Sequence, residues 1–591
     1  MAEKNKIIKV KDYPYNFVSL GENVINKGER VLGKNTGILK CKLRTYSPLF
    51  IMGERDVSEN GHSEEYFLKE NGNYIIPSST LKGEIRTIIE VLTNSVIRNV
   101  ETERLEKRLS PGKFSPLFGI IEKLPTDNED GEIKLAKKFK LKKEVAYNIV
   151  KGKDLSEGGM VKLRFKNSLL KDYEKNYKFE SKEEFMEIYT SKTENSSVGI
   201  LWVTSNIGRK KYEKILVKDP SETIYRFSKE EYEDFKYIVA QRIEREKKDK
   251  KRFYLGDSGN YELKVGDPII FEKIEKGHNI KHLAFSEIPR LRYKLSPWQL
   301  IPLEFRPSNS LKNLSFSERL FGTTGNHNEK SESKELTSIS GRVFFTDAKL
   351  DENKAKFVDE KPKILKPFGE PHPTLLSFYL EKDGSYDKQG SKIRGRKFYW
   401  HHKDKIEKKF ETYSKSITMN SQERYNASLQ LLDFGNEFEF EIHFNNLTDD
   451  ELGVLTYALE LEEGLLHKVG KGKAFGFGSC KIEIKETLLK NENKYNGFSI
   501  SKVFKENKEI QEIKQKCIKK AKEMYIDEKR KNIKELKIIL SKENFLDFSK
   551  SPFPEEEGNT PGKNTLNWFM NKKKKGEVIL KTILEIDKDK K

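Results

Sequence analysis

"NEFEFEIHFNNLTDDELGVLTYALELEEGLLHKVGKGKAFGFGSCKIEI", residues 436–484, decides the fold. Its first twelve residues alternate apolar and polar, the period of a strand with one buried face. Thr448 then stands as an N-cap, Asp449 and Asp450 fall in the first turn of a helix, and Gly464 marks its stop. The turn that follows, 467–479, holds four glycines, three lysines and two phenylalanines before a new strand opens at Ser479.

A glycine-rich basic turn suggests phosphate, and two nucleotide loops can be tested. A Walker loop and a dinucleotide loop both run from strand into helix. This one runs from helix into strand, and Phe475 stands where the dinucleotide pattern wants glycine. An RNA contact fits better. Gly470, Gly472, Gly476 and Gly478 let backbone N–H groups approach phosphates, and Lys468, Lys471 and Lys473 supply charge. Phe475 and Phe477 either stack on bases or fill the core, and both readings stand.

Further out, 37–53 alternates as a strand. Leu39, Cys41 and Leu43 point one way, and Lys40, Lys42 and Arg44 make a basic outer face. A polar loop is expected over 54–73, then a helix over 75–100 capped by Ser78 or Ser79. Lys82 and Arg86 share a face of that helix. With the serines and the free N–H groups of the first turn they form either an anion site or an ordinary capped surface. Gly83 in the early turns implies close approach by a backbone or ligand, or a tight helix crossing. Arg394, Arg396 and Lys397 add a basic and aromatic run at 393–402. His401 and His402 make a weak metal case, since adjacent strand residues face opposite ways. Asp347 is expected to anchor a turn.

The order of elements is that of a ferredoxin-like, RRM-like unit within an α+β chain. The expected organisation is a first core part at 1–100, an inserted β-rich subdomain at 101–315, the second core part at 316–490, and a basic helical C-terminal extension at 491–591. The net charge of +20 favours a polyanionic partner over a membrane. Cys41, Cys480 and Cys517 are too far apart for a CxxC pair, and no run of about 18 apolar residues occurs. A cytoplasmic protein is expected.

"IPSSTLKGEIR", "RLFG" with "GRVFFTDA", and "GKGKAFGFGS" occur in the order seen in the RAMP superfamily of CRISPR-associated proteins, which this chain resembles. "PYNFVSL" (14–20) and "IRGRKFYWHH" resemble a large subgroup related to the backbone subunits of type III effectors. The resemblance implies an RNA-binding subunit that holds CRISPR RNA and target RNA beside other effector subunits in antiviral defence. Ser78, Ser79, Lys82 and Arg86 match the helix motif, with Ser78 replacing the usual glycine, and the four loop glycines match the last motif. Backbone subunits of that type also cut target RNA with an aspartate after the first strand. Here Asp56 and His62 are the candidates, with Mg²⁺ as a cofactor if RNA is cleaved, and an endoribonuclease acting on target or precursor RNA through 54–73 is the alternative. His62 serves either as a base or as a structural contact.

Overall fold

A computed structural model describes residues 7–10, 13–22, 24, 27–58, 62–109, 115–150, 160–202, 211–221, 223–248, 262–274, 277–285, 289–324, 338–365, 373–402, 427–491, 495–496, 499–500, 503–543, 568–569, 571–572 and 577–589. Most of the lysine run at 571–576 lies outside the described residues. The chain forms two units, one of Met1–Glu103 with Leu295–Lys591, the other of Arg104–Lys294.

The first unit is built on β1 (Asn35–Thr45), β2 (Met52–Val57), β3 (Ser63–Phe67), β4 (Asn73–Ile76), α1 (Ser78–Leu92), β5 (Val343–Phe345) and β6 (Ala348–Asp351). It continues with β7 (Ala427–Leu429), β8 (Glu437–Leu447), α2 (Asp449–Glu460), β9 (Ser479–Leu489), α3 (Asn507–Tyr525) and α4 (Lys531–Leu540). The strands β9-β1-β8-β6-β4 lie side by side and antiparallel. Taking β1–α1–β6 and β8–α2–β9 as the two halves, the sheet runs fourth, first, third, second, the ferredoxin-like order.

Alternation sets which face is buried. Leu39, Cys41 and Leu43 of β1 and Phe438, Phe440, Ile442 and Phe444 of β8 enter the core. α1 adds Leu81, Ile85, Ile88, Ile89 and Leu92. α2 is closed at its start by a reciprocal pair in which Thr448 and Glu451 each accept the other's backbone N–H. α1 stops at Leu92, short of the expected 100, because Asn94 turns left-handed with φ +45°.

The expected loop at 54–73 is instead the hairpin β2–β3 followed by further strand. Its polarity misled the sequence reading because β2 is an edge strand with nearly every side chain exposed. Residues 295–315, expected in the inserted region, group with the first unit, where Trp298, Ile301 and Phe305 pack with Ile97. The helices α3 and α4 lie in the same core as α1 and α2, through Ile510, Cys517, Ala521 and Tyr525 of α3 and Ile533, Leu536, Ile539 and Leu540 of α4. A Cβ on Gly453 would stand 2.0 Å from the Cys517 carbonyl oxygen, so that glycine lets α3 cross α2.

In the second unit the strands run in the order Met160–Lys166, Ser196–Trp202, Tyr212–Lys218, Gly131–Lys142, Leu117–Lys123, Pro268–Lys273 and Ile280–Ala284. Ala146, Phe185 and Ile188 of two short helices and Phe235, Val239 and Ile243 of the helix Lys229–Lys248 cover one face.

Candidate nucleic-acid interface

The start of α1 differs from its expected form. Pro77 is the N-cap, and neither Ser78 nor Ser79 makes a side-chain cap. The Ser78 N–H donates to Asp347 Oδ1 at 2.6 Å. Pairing of Ala348 with Ile76 brings that carboxylate to the helix end. A carboxylate there suits the helix dipole, so Asp347 takes one of the first-turn N–H groups expected to face a phosphate. The turn-anchoring role expected for Asp347 thus takes the form of a cap on a distant helix.

Farther along α1 the cations gather. Lys82 Nζ lies 5.9 Å and the Arg86 guanidinium 5.7 Å from the centre of the Phe321 ring. Arg98, just past the helix, donates to Thr324 Oγ1 at 2.9 Å. Burial holds the Lys82 ammonium below its ordinary value, and repulsion from Arg86 and Arg98 adds to this. Arg86 donates to Glu90 at 2.8 Å, yet its Nη2 is buried with no acceptor. Lys82 makes no ion pair among the described residues. Lys82, Arg86 and Arg98 therefore form a half-buried cationic cluster in which Glu90 answers Arg86. Arg98 was not legible from the sequence, because it lies outside the helical spacing that links Lys82 to Arg86.

The glycine turn lies against the same helix. Glu84 of α1 accepts the Lys468 N–H at 3.1 Å and faces His467 Nδ1 at 3.8 Å. Burial pushes the Glu84 carboxyl up, but the neighbouring His467 ring, the Lys473 charge and the Lys468 N–H outweigh it and hold it below the carboxylate norm. This carboxylate joins the two motifs, and it too was missed.

The turn's composition has a structural cause. Gly470, Gly472, Gly476 and Gly478 all have φ between 79° and 90°. Phe475 and Phe477 are 3% and 1% exposed and stack on each other with centroids 6.1 Å apart. They fill the core, which corrects the base-stacking alternative. Lys468 is buried, donating to Gly476 O and Ser479 Oγ at 3.1 Å. Lys471 pairs with the buried Glu65. Lys473 is half-exposed.

The outer face of β1 is not a basic track. Lys40 pairs with Glu486 at 2.8 Å and Lys42 with Glu437 at 2.9 Å, while Glu437 stands opposite Arg44. Glutamates on both flanking strands neutralise the row, a cross-strand effect that one strand read alone does not show.

The run at 393–402 is largely internal. Arg396 is buried, donates to Ser95 O and approaches Glu90 at 3.7 Å. Arg394 donates to Leu380 O at 3.2 Å. His401 Nδ1 lies 2.8 Å from Ser479 Oγ, with the ring buried and held neutral by that burial. These contacts tie the run into the fold, so Arg394 and Arg396 are not surface RNA contacts. Lys397 Nζ lies 3.8 Å above the Tyr15 ring and 5.1 Å from that of Tyr399, and burial lowers its pKa to about 8. Between about pH 8 and the ordinary 10.5 the unfolded chain holds a proton that the folded chain has lost, so stability rises with pH there. Thermal melts should show the natural chain gaining on Lys397→Met across that window. Parallel curves would contradict the burial argument.

Asp56 is exposed on β2, opposite Glu64 of β3. His62 Nε2 lies 2.9 Å from Ser428 Oγ. Among the described residues no three His, Cys, Asp or Glu side chains gather as metal ligands.

The ferredoxin-like sheet thus carries α1 with its cationic cluster, and Glu84 joins that helix to the glycine turn. A family model described as RAMPs, the RAMP superfamily, matches residues 291–481. The matched span carries Phe321, Asp347, β8, α2 and the glycine turn, and it supports a RAMP-type, CRISPR-associated RNA-binding role. No curated protein matches the chain. No helix among the described residues is long and apolar enough to cross a membrane.

Proposed function

We propose that the chain is a backbone-type subunit of a type III-like CRISPR effector and grips guide RNA by its phosphates while positioning target RNA. The observation that carries this is the cluster of Lys82, Arg86 and Arg98, joined through α1 and Glu84 to the glycine turn. On this reading the Arg104–Lys294 unit is an insertion between α1 and β5 of a split ferredoxin-like core. The partners are CRISPR RNA, target RNA and other effector subunits. Sequencing of RNA that co-purifies with the chain from its native host tests the proposal: small RNAs of repeat origin are expected, and their absence would sink it.

Target cleavage is the second reading. What favours it is the Asp56 carboxylate, exposed on the edge strand β2. Matched RNA given to the assembled complex with Mg²⁺ should then be cut at regular intervals, and Asp56→Ala should abolish the cuts. Intact RNA with the natural chain leaves the binding role alone.

A further inference from the structure

In the Arg104–Lys294 unit, four adjacent antiparallel strands send a second set of cations to one face. The register places Lys140 opposite Lys214, Lys214 opposite Trp202, Lys162 opposite Ile200 and Arg164 opposite Val198. Directly paired residues point to the same side, so Lys140, Lys142, Lys162, Arg164 and Lys166 share it with Lys214. The other side is the one covered by helices, through Phe139, Leu141, Leu163, Phe165 and Leu201. On the cationic side, none of the residues that the strands Met160–Lys166, Ser196–Trp202, Tyr212–Lys218 and Lys138–Lys142 contribute is acidic.

This face differs in kind from the outer face of β1, where glutamates answer the lysines. Lys140, Lys142, Lys162, Arg164 and Lys166 form no ion pair among the described residues. Two carboxylates stand at the margins. Glu122 pairs with Lys218 at 2.7 Å, and Glu180 accepts from the Tyr212 hydroxyl. Side chains two apart on a strand repeat at about 7 Å, a spacing on the scale of successive phosphates in an extended single strand. Trp202 and Phe118 are buried, lying under Lys214 at 5.3 Å and Lys138 at 4.1 Å, so they offer no face to a base. Val198, opposite Arg164, is 48% exposed and gives an unpaired base an apolar contact.

We propose that this face is a second nucleic-acid surface, one that binds a single strand by its phosphates without reading sequence. It does not depend on the role assigned to the glycine turn, since every residue in it belongs to the other unit. The charge and the repeat favour a single strand over an acidic protein.

The test uses the full chain and a labelled 20-nucleotide polyuridine, with an RNA duplex of the same length as comparison. A variant carrying Lys140→Gln, Lys142→Gln, Lys162→Gln, Arg164→Gln and Lys166→Gln should bind the single strand at least tenfold more weakly. Its log–log salt slope should be shallower by about 3.5, at about 0.7 for each phosphate no longer neutralised. If that variant misfolds, Lys142→Gln with Lys162→Gln and Lys166→Gln, all at exposed positions, should shift the slope by about 2. Unchanged affinity and slope in a variant with native melting would overturn the proposal and point to an acidic protein partner. Equal weakening for the duplex would overturn the single-strand assignment.

Discussion

Alanine at Lys82 and Arg98 together should weaken binding of guide-length RNA by about 10- to 100-fold, with a salt slope shallower by about 1.4. Both side chains are nearly half-buried; burial and repulsion from Arg86 lower both pKa values, and Arg98 adds to the repulsion at Lys82. A phosphate between them would relieve that repulsion in a medium less polar than water, where each pairing of opposite charges is stronger than at an open surface. Arg86 is left in place because Glu90 already holds its Nε, and removing it would free a carboxylate beside Arg396. Lys82→Arg with Arg98→Lys should recover most of the binding, since charge is the operative property. Lys40→Ala with Lys42→Ala is the control: those lysines are committed to Glu486 and Glu437, so the affinity should change by less than about twofold. Equal losses in the control and the Lys82/Arg98 variant would show that net charge, and not this cluster, drives binding.

What the sequence revealed and what it hid divide along local and non-local lines. The strand at 437–447, the Thr448 cap and the helix behind it were legible, since alternation and capping are properties of neighbouring residues. The ferredoxin-like order followed from placing such elements in sequence. Asp347 at the start of α1 was hidden because it lies 269 positions from Ser78. The answering glutamates beside Lys40 and Lys42 were hidden for the same reason. Residues 507–540 belong to the expected basic helical extension because lysine is their commonest residue, yet their apolar positions fall on one stripe and enter the main core. The phenylalanines of the glycine turn were undecidable by composition, since a ring that stacks on a base and one that fills a core carry the same letter.

Two glycines of the candidate site should respond to alanine with opposite signs. Gly478 has φ +80°, and a Cβ there would lie 1.8 Å from the Val469 carbonyl oxygen. Its own N–H donates to Pro48 O at 2.7 Å and its carbonyl accepts from Val469 N–H, so the backbone cannot swing away without losing both bonds. Left-handed strain costs about 1–3 kcal/mol and forced overpacking a further ~1–3 kcal/mol. That sum is a large part of the ~5–15 kcal/mol that holds a typical domain together. Gly478→Ala should therefore lower the melting temperature by many degrees or abolish soluble expression. Gly83 is exposed on α1, and a Cβ there would meet nothing within 4 Å. The close approach or tight crossing expected at that glycine is therefore not made by any of the described residues. Gly83→Ala should stabilise the helix by about 1 kcal/mol. If RNA backbone lies along the face that carries Lys82 and Arg86, the added methyl should also weaken RNA binding several-fold, so stability and affinity move in opposite directions. A Gly83→Ala chain that melts higher and binds RNA unchanged would place the phosphate path elsewhere on the cluster, and a Gly478→Ala chain that melts normally would contradict the steric account of the turn.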